Sequence, residues 1–395
     1  MKQLIGPMAP VYLIVVSAFI GLSMPFPVFS HLFLNESSSL MGAATTIEQR
    51  TFLLGLAIAL FPLGQALASP FWGAWSDKIG RKLVLFVSLG VASLGMLIVA
   101  ISIDLNMLWL LLFGRLLSGL GEGNIAIAQA IAADDEDEQR RTKSFAGISI
   151  AINLGWIIGP LLGGFLADPD VFSWANAALP FWVGTVLYML NMAFVRLIPD
   201  SKDKPHPELE SPLTTKALWA LPKMKANMLM SFLTFFAVYT MFSFYIPYLV
   251  QEFDFSVVMA GIYSALFSVP LIAAGLMAHK VQKGIGSRKM AIASVWLLSI
   301  GLLGFGLAPN ITLIVIFTIV VSFGIVFIEV SSALLVSQGV PNQANGQVIG
   351  SYRSVTVISE ITAAMVGGVL AGLYLPMPFI GAAALVLLSL YLLKK

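Results

Sequence analysis

Long apolar runs alternate with short polar ones along the whole chain. Apolar runs lie at 10–34, 51–72, 83–103, 107–132, 144–167, 172–196, 226–250, 256–277, 288–308, 311–337, 348–371 and 376–393. A helix of roughly 20 apolar residues spans a bilayer core of about 30 Å. The pattern therefore predicts an all-α integral membrane protein with twelve transmembrane helices. The widest polar stretch, from Pro199 to Lys225, contains Pro205, Pro207, Pro212 and many charges, and reads as a linker. The expected organisation is a six-helix bundle over 1–198, a linker over 199–225 and a second six-helix bundle over 226–395.

The two halves also match weakly. Gly163-Gly164 in the fifth run correspond to Gly367-Gly368 in the eleventh, Gly147 to Gly350, and Gly73 to Gly275. The offsets, 204, 203 and 202 residues, are nearly constant and keep the chain direction, which makes a parallel repeat.

Composition agrees with a membrane-embedded chain. Of 395 residues, 58% are hydrophobic and 11% charged, with a mean hydropathy of +0.91. Soluble domains carry about 25% charged residues, so water is not the solvent of most of this surface. The absence of cysteine excludes a disulfide framework and thiolate metal sites. His31, near the end of the first run, has no partner histidine, so neither a metal nor a cofactor is expected.

The net charge of +2 is less informative than its distribution. Of the 22 Lys and Arg, 20 fall on one side of the predicted membrane: Lys2, Lys78, Arg81, Lys82, Arg140, Arg141, Lys143 and Arg196 in the first half, then the linker, the 280–289 loop, Arg353 and the final lysines. Arg50 falls opposite and Arg115 within a run. By the positive-inside rule both termini are cytoplasmic, in a bacterial-type inner membrane. The first run is too long for a signal-peptide core and lacks a small-residue cleavage site, so it is expected to stay as a helix.

Four motifs carry chemistry. After the second run the chain reads Gly73-Ala-Trp-Ser-Asp77-Lys-Ile-Gly80-Arg81-Lys82. Gly80 permits a tight turn, and Arg81 and Lys82 anchor the next helix at the headgroups. The fourth run contains Arg115-Leu-Leu-Ser118-Gly119-Leu-Gly121-Glu122-Gly123. Arg115, Glu122 and Gln129 recur every seven residues, on one helical face. The fifth run carries Gly155, Gly159-Pro160 and Gly163-Gly164, where glycines four apart make a groove for another helix and Pro160 permits a bend. The first run reads Gly21-Leu-Ser-Met-Pro25-Phe26-Pro27.

These motifs together resemble the Major Facilitator Superfamily, in particular its twelve-helix drug/proton antiporters. The 73–82 segment resembles the family's G-x-x-x-D-x-x-G-R-[KR] signature, the 115–119 segment its R-x-x-x-G motif, and the 155–164 segment its antiporter motif. The resemblance implies two pseudo-symmetric six-helix bundles, and gating roles for Gly73, Asp77, Gly80, Arg81, Gly159 and Pro160. In the family the signature aspartate meets a helix N-terminus, a favourable arrangement by roughly 0.3–1 kcal/mol. His279, Lys283, Gly286, Arg288 and Lys289 form a degenerate second copy that lacks the aspartate. Some relatives carry an acid early in the first helix; here Val16-Ser17-Ala18 stand there instead, so coupling must use other carboxylates.

Three acids lie inside predicted spans: Glu122, Glu329 and Glu360. Ionisable groups at membrane depth mark proton relays or substrate contacts. Burial penalises the charged form of a carboxyl group, which suits a proton carrier. Glu122, Glu329, Glu360 and Arg115 are the coupling candidates. Asn153, Trp156, Tyr239, Tyr245, Arg353 and Phe26 are the candidate substrate wall, since aromatic faces suit amphipathic or cationic ligands. The acidic run 134–138 reads as a solvated helix end.

The expected function is secondary active transport of a small organic solute by alternating access, as proton-coupled drug or metabolite efflux. A competing reading is a dedicated transporter of a siderophore or organic acid, with Arg115 and Arg353 pairing with carboxylates. A third is a transport-inactive membrane receptor. A primary pump is disfavoured because no phosphate-binding G-x-x-x-x-G-K-[ST] loop is present, and an enzyme because no nucleophile–base constellation stands out. The expected partners are a small-molecule substrate, protons and the lipid bilayer, with no nucleic acid and a monomeric state.

Overall fold

The computed structural model of the chain describes residues 8–35, 38–42, 44–133, 137–198, 222–337 and 345–394. Among the described residues all regular structure is helical. Fifteen helices among the described residues build the twelve expected spans, because three spans are interrupted. The first is α1 (Ala9–Ser23) and α2 (Pro25–Leu34), and the second to third are α3 (Ile47–Ile79) and α4 (Arg81–Asp104). The fourth is α5 (Leu108–Leu120) and α6 (Asn124–Ala133), followed by α7 (Glu138–Ala167) and α8 (Leu179–Val195). The second half comprises α9 (Pro222–Phe253), α10 (Val257–Ile285), α11 (Ser287–Gly306), α12 (Ile311–Ser337) and α13 (Asn345–Leu373), and ends in α14 (Met377–Leu387) and α15 (Ser389–Lys394). Among the described residues, nine helical segments are long and apolar enough to cross a membrane, and three shorter apolar ones, Leu108–Leu120, Leu179–Val195 and Met377–Leu393, complete twelve. Their outer faces are apolar: Leu276 is 82% exposed and Phe71 72%. Water would not sustain such a surface, whereas lipid would.

Several boundaries differ from expectation. The sixth span begins at Leu179 rather than at 172. The Asp168 side chain accepts from the Asp170 N–H at 2.9 Å, and that of Asn176 accepts from the Ala178 and Leu179 N–H groups at 2.9 and 3.0 Å. These polar side chains offer the backbone an alternative to helix, and Phe172 stacks on Trp174 outside it. Gly73 lies inside α3, not after it, because that helix continues to Ile79, and its counterpart Gly275 lies likewise inside α10, which continues to Ile285. The fifth span starts at Glu138 rather than at 144, where the Asp137 side chain caps α7 by accepting from Arg140 N–H. The first span breaks at Met24 because Pro25 supplies no amide to continue α1, and proline suits the first turn of α2. Residues 134–136 of the acidic run and 199–221 of the linker lie outside the described residues.

Contacts divide the chain into two compact units. The first unit is Met1–Thr45, Leu56–Pro207 and Leu249–Ala265; the second is Thr46–Gly55, Glu208–Tyr248 and Leu266–Lys395. In the first, α1 packs along α7 and α8, and α4 along α5 and α8. In the second, α11 packs along α12 and α14. There the Tyr248, Phe305 and Phe379 rings form one cluster, and the Tyr248 hydroxyl donates to the Gly306 carbonyl at 3.0 Å.

Glycine contacts make the repeat physical. In the first unit a Cβ on Gly163 would lie 2.2 Å from the Met24 carbonyl, and Gly164 meets Gly261. In the second, a Cβ on Gly367 would lie 2.2 Å from the Phe244 ring, and Gly368 meets Gly55. Each double glycine thus seats two neighbouring helices, which no larger residue would allow.

Gly80 and Gly286 share a second relationship. Both precede a helix with positive φ, 95° and 81° respectively. The degenerate second copy of the 73–82 turn therefore keeps the backbone conformation while losing the aspartate. The Gly80 geometry (ψ 145°) is one that side chains disfavour by about 1–3 kcal/mol. Gly80→Ala is accordingly expected to lower stability by about that amount, purely through the backbone, since a Cβ there meets nothing within 4 Å. Gly73→Ala, also without neighbours but helical, should be neutral or gain up to ~1 kcal/mol. Thermal melts of the two variants in one detergent check the contrast.

Candidate functional site

The first cluster forms where the fourth span breaks. Gly119, Gly121 and Gly123 bring α5 and the break against their neighbours. A Cβ would lie 2.0 Å from the Phe61 carbonyl at Gly119, 2.2 Å from Ala92 N at Gly121 and 2.7 Å from the Trp72 ring at Gly123. Trp72 Nε1 donates to the Leu120 carbonyl at 2.7 Å, satisfying an acceptor that the end of α5 would otherwise leave open. Glu122 sits in the break and is 3% exposed. Its Oε1 accepts from Asn124 Nδ2 at 2.7 Å and its Oε2 from the Tyr188 hydroxyl at 3.0 Å.

Arg115 lies one helix segment earlier, also buried. Its guanidinium sits 5.1 Å from the Phe29 ring centroid and 4.8 Å from that of Phe61, and Nε donates to the Ala57 carbonyl at 3.2 Å. The aromatic faces and the carbonyl give the cation the electrostatic partners that burial demands. Arg115 and Glu122 interact electrostatically. The expected seven-residue stripe is corrected in one respect: the break at 121–123 interrupts the helix, and Gln129 on α6 is exposed instead of joining the buried pair. Two buried polar atoms nearby, Ser118 Oγ and Asn124 Oδ1, have no hydrogen-bond partner.

The second cluster is in the second unit. Tyr239 on α9 lies within electrostatic reach of Glu360, Arg353, Glu329 and Tyr352. Glu329 and Arg353 interact, although Glu329 and Arg353 are each surface-accessible. Tyr352 hydrogen-bonds Ser332 Oγ at 2.8 Å and packs edge-on against Phe235. The structure thus brings Glu329, Glu360, Arg353 and Tyr239 together, and puts Glu122 and Arg115 in the other unit.

The aromatic candidates fall into two groups. Trp156 on α7 packs against Phe19 and Phe26, with centroids at 6.3 and 5.6 Å. Tyr245 is buried edge-on against Phe267 in the second unit. Asn153 is exposed, and its amide donates to the Ser149 carbonyl one turn earlier at 2.8 Å. Its own helix therefore takes up one of the amide donors of this candidate wall residue. On α7, Gly159 fits against Ser23 Oγ and the Ile20 carbonyl, and Gly155 against Phe19, so the fifth-span groove receives α1. In the 73–82 turn Arg81 Nη1 donates to Ser76 Oγ at 2.7 Å. The Asp77 side chain lies outside the described residues.

Sequence reasoning missed Tyr188 and Asn124. Tyr188 lies on an apolar helix between hydrophobic residues, where a tyrosine reads as packing. Asn124 stands two residues after Glu122, too close to share a helical face with it, and only the helix break makes the pair adjacent. Among the described residues no group of three His, Asp or Glu could hold a metal ion.

The sequence profile of the Major Facilitator Superfamily matches residues 11–359 and 247–395. The chain is 28% identical over 228 residues to the quinolone resistance protein NorA of Staphylococcus aureus (strain MRSA252), covering 55% of this chain and 56% of NorA. It is 36% identical over 141 residues to the class B tetracycline resistance protein of Escherichia coli, covering 36% of this chain and 33% of that protein. The chain thus aligns with about half or less of the length of these relatives. Among solved structures, a bacterial homologue of the human lysosomal transporter Spinster superposes with a TM-score of 0.79 at 14% identity, over 98% of this chain and 95% of that one. A D-xylose–proton symporter superposes with a TM-score of 0.75 at 16% identity, over 96% of each chain. The superfamily profile runs nearly the whole length of the chain, and the helical architecture matches that of these structures: the chain belongs to the Major Facilitator Superfamily.

Proposed function

We propose that this chain is a proton-coupled exporter of small organic molecules that works by alternating access. In this reading the bundles 1–198 and 226–395, joined by the linker 199–225, move about the solute, and both termini face the cytoplasm across the inner membrane. The observation that carries the reading is Glu122, a carboxyl group buried at a helix break with hydrogen bonds from the side chains of Asn124 and Tyr188. Two neutral donors stabilise the carboxylate without the formal neutralisation that a bidentate salt bridge would give, so gain and loss of one proton are both accessible. Quinolone and tetracycline resistance are what the two aligned relatives are named for, and they support the choice of amphipathic, drug-sized substrates.

The cluster of Tyr239, Glu329, Arg353 and Glu360 is proposed as the solute's polar contact, with Tyr245 of the same unit as part of its aromatic wall. Asp77, Gly80 and Arg81 are proposed to gate one side, and Gly159-Pro160 to act as the pivot against α1. The test is a proteoliposome assay with an imposed pH gradient and three probes: a quinolone, a tetracycline and ethidium. Gradient-driven movement of at least one probe is expected, and Glu-to-Gln changes at 122, 329 and 360 are expected to reduce it. Equal movement with and without the gradient for all three, or transport unchanged in all three variants, overturns the reading.

A further inference from the structure

Tyr188 is among the largest fully buried side chains, 1% exposed, and reaches from α8 to both α1 and the break in the fourth span. Its ring lies against Gly21, where a Cβ would sit 2.8 Å from the ring edge. Its hydroxyl is 3.0 Å from Glu122 Oε2 and 3.4 Å from the Ala18 carbonyl oxygen of α1. A phenol has one proton to donate. It therefore satisfies one of these two acceptors at a time.

Which acceptor it satisfies depends on Glu122. When Glu122 is ionised, both of its oxygens are acceptors, and the Tyr188 proton points to Oε2. When Glu122 takes up a proton on that oxygen, its O–H donates to the phenol oxygen, and the Tyr188 proton turns to the Ala18 carbonyl. If the proton arrives at Oε1 instead, Asn124 Oδ1, buried without a hydrogen-bond partner, becomes its acceptor after an amide flip. One turn along α8 from Tyr188, Asn191 holds the same helix: Nδ2 donates to the Ile14 carbonyl at 3.4 Å and Oδ1 accepts from Ser17 Oγ at 2.5 Å. α1 is thus tied to α8 by one constant polar contact at Asn191 and one that changes with the proton at Tyr188.

We propose that Tyr188 is a positioning residue that transmits the protonation of Glu122 to α1 by exchanging its hydrogen bond between the Glu122 carboxyl and the Ala18 carbonyl. The inference rests on the proposed titration of Glu122. The other charged group facing Glu122 is Arg115 on α5. The parts of α1, α3 and α4 at the break supply Ala18, Trp72 and Ala92, none of which titrates.

The test uses the full-length protein in nanodiscs and needs no substrate. Infrared spectra are recorded across a pH titration, and the protonated-carboxyl band of Glu122 is assigned as the one missing in Glu122→Gln. Tyr188→Phe keeps the ring, and hence the packing, but removes the donor to the anion. Its Glu122 midpoint is expected to move to higher pH by about one unit, the size of one hydrogen bond to a charged group. In the unmutated chain, with tyrosine ring carbons isotopically labelled, a tyrosine C–O band is expected to shift with the same midpoint as the Glu122 band, and to stop doing so in Glu122→Gln. An unshifted midpoint in Tyr188→Phe, or tyrosine bands blind to the titration of Glu122, overturns the inference while leaving proton binding at Glu122 intact. A Glu122→Gln variant that loses no carboxyl band overturns the proton role of Glu122 and the inference with it. The labelled measurement on the unmutated chain decides the matter even if Tyr188→Phe does not fold.

Discussion

Replacing Glu122 with glutamine is expected to lower gradient-driven transport by about 100-fold or more, the scale on which removing a positioned acid–base group is felt. The substitution keeps the length of the side chain. Glutamine Oε1 can still accept the Tyr188 proton. Its amide N–H₂ then faces Asn124, where a flip brings forward Oδ1, a buried acceptor that has no partner while Glu122 is ionised. Hydrogen bonding is conserved, so the cost in stability should stay below about 1 kcal/mol. The expected signature is therefore a chain that folds, binds and exchanges solute across the membrane without a gradient, but no longer responds to one. Counterflow in proteoliposomes separates the two. A variant that loses counterflow and gradient-driven transport equally would place Glu122 in solute binding or structure rather than in coupling. The reverse substitution at Asn124, to alanine, leaves one Glu122 oxygen without a donor and should disturb the pH profile without abolishing transport.

Adding one methyl group at Gly119 is expected to be among the most disruptive single changes in the first unit. The Cβ would sit 2.0 Å from the Phe61 carbonyl oxygen and 2.9–3.0 Å from two further backbone atoms of the same residue. The obstacle is backbone, so no rotamer change relieves it. α3 and α5 would have to separate, which also moves Phe61 from the face of Arg115 and the Trp72 indole from the Leu120 carbonyl. Overpacking typically costs about 1–3 kcal/mol, and coupled loss of these two polar contacts adds to it. Gly119→Ala should thus lose most of its folded yield or melt many degrees lower in detergent. Gly350→Ala is the matched control: a Cβ there meets nothing within 4 Å, and it should melt like the unmutated chain. Equal melting of the two variants would show that the close approach at Gly119 is not required.

Much of this architecture is legible from residue patterns because the bilayer makes a local demand. Each span must satisfy its own backbone hydrogen bonds and present apolar side chains, so hydropathy locates α3, α4 and α9–α13 with no knowledge of their neighbours. The turn at Gly80 is equally local, since positive φ is a property of one residue and its immediate bonds. The sixth span was harder. Val171, Phe172 and Trp174 are apolar, but Asp168 and Asn176 hold the backbone of that stretch in turns until Leu179. Its hydropathy is that of a helix and its hydrogen bonding is not.

The candidate site divides in the same way. Apolar periodicity and the rarity of charge at membrane depth single out Arg115, Glu122, Glu329 and Glu360 from the sequence alone, because an ionised group is costly in a membrane wherever it stands. What they touch is a different kind of property. The break at Gly121–Gly123 depends on how closely α3 and α4 approach α5, and it decides that Glu122 meets Asn124 and leaves Gln129 outside. The Tyr188 contact joins residues 66 positions apart, and the Ala18 contact joins residues 170 apart. Hydrophobic pattern is a sum over single residues and survives in one dimension. Hydrogen-bond partnership requires two groups within about 3 Å at the right angle, and only the packing of α1, α5, α6 and α8 brings these groups to that distance. The sequence by itself determined which residues the membrane would not tolerate exposed; the tertiary structure alone decided which partner each of them keeps.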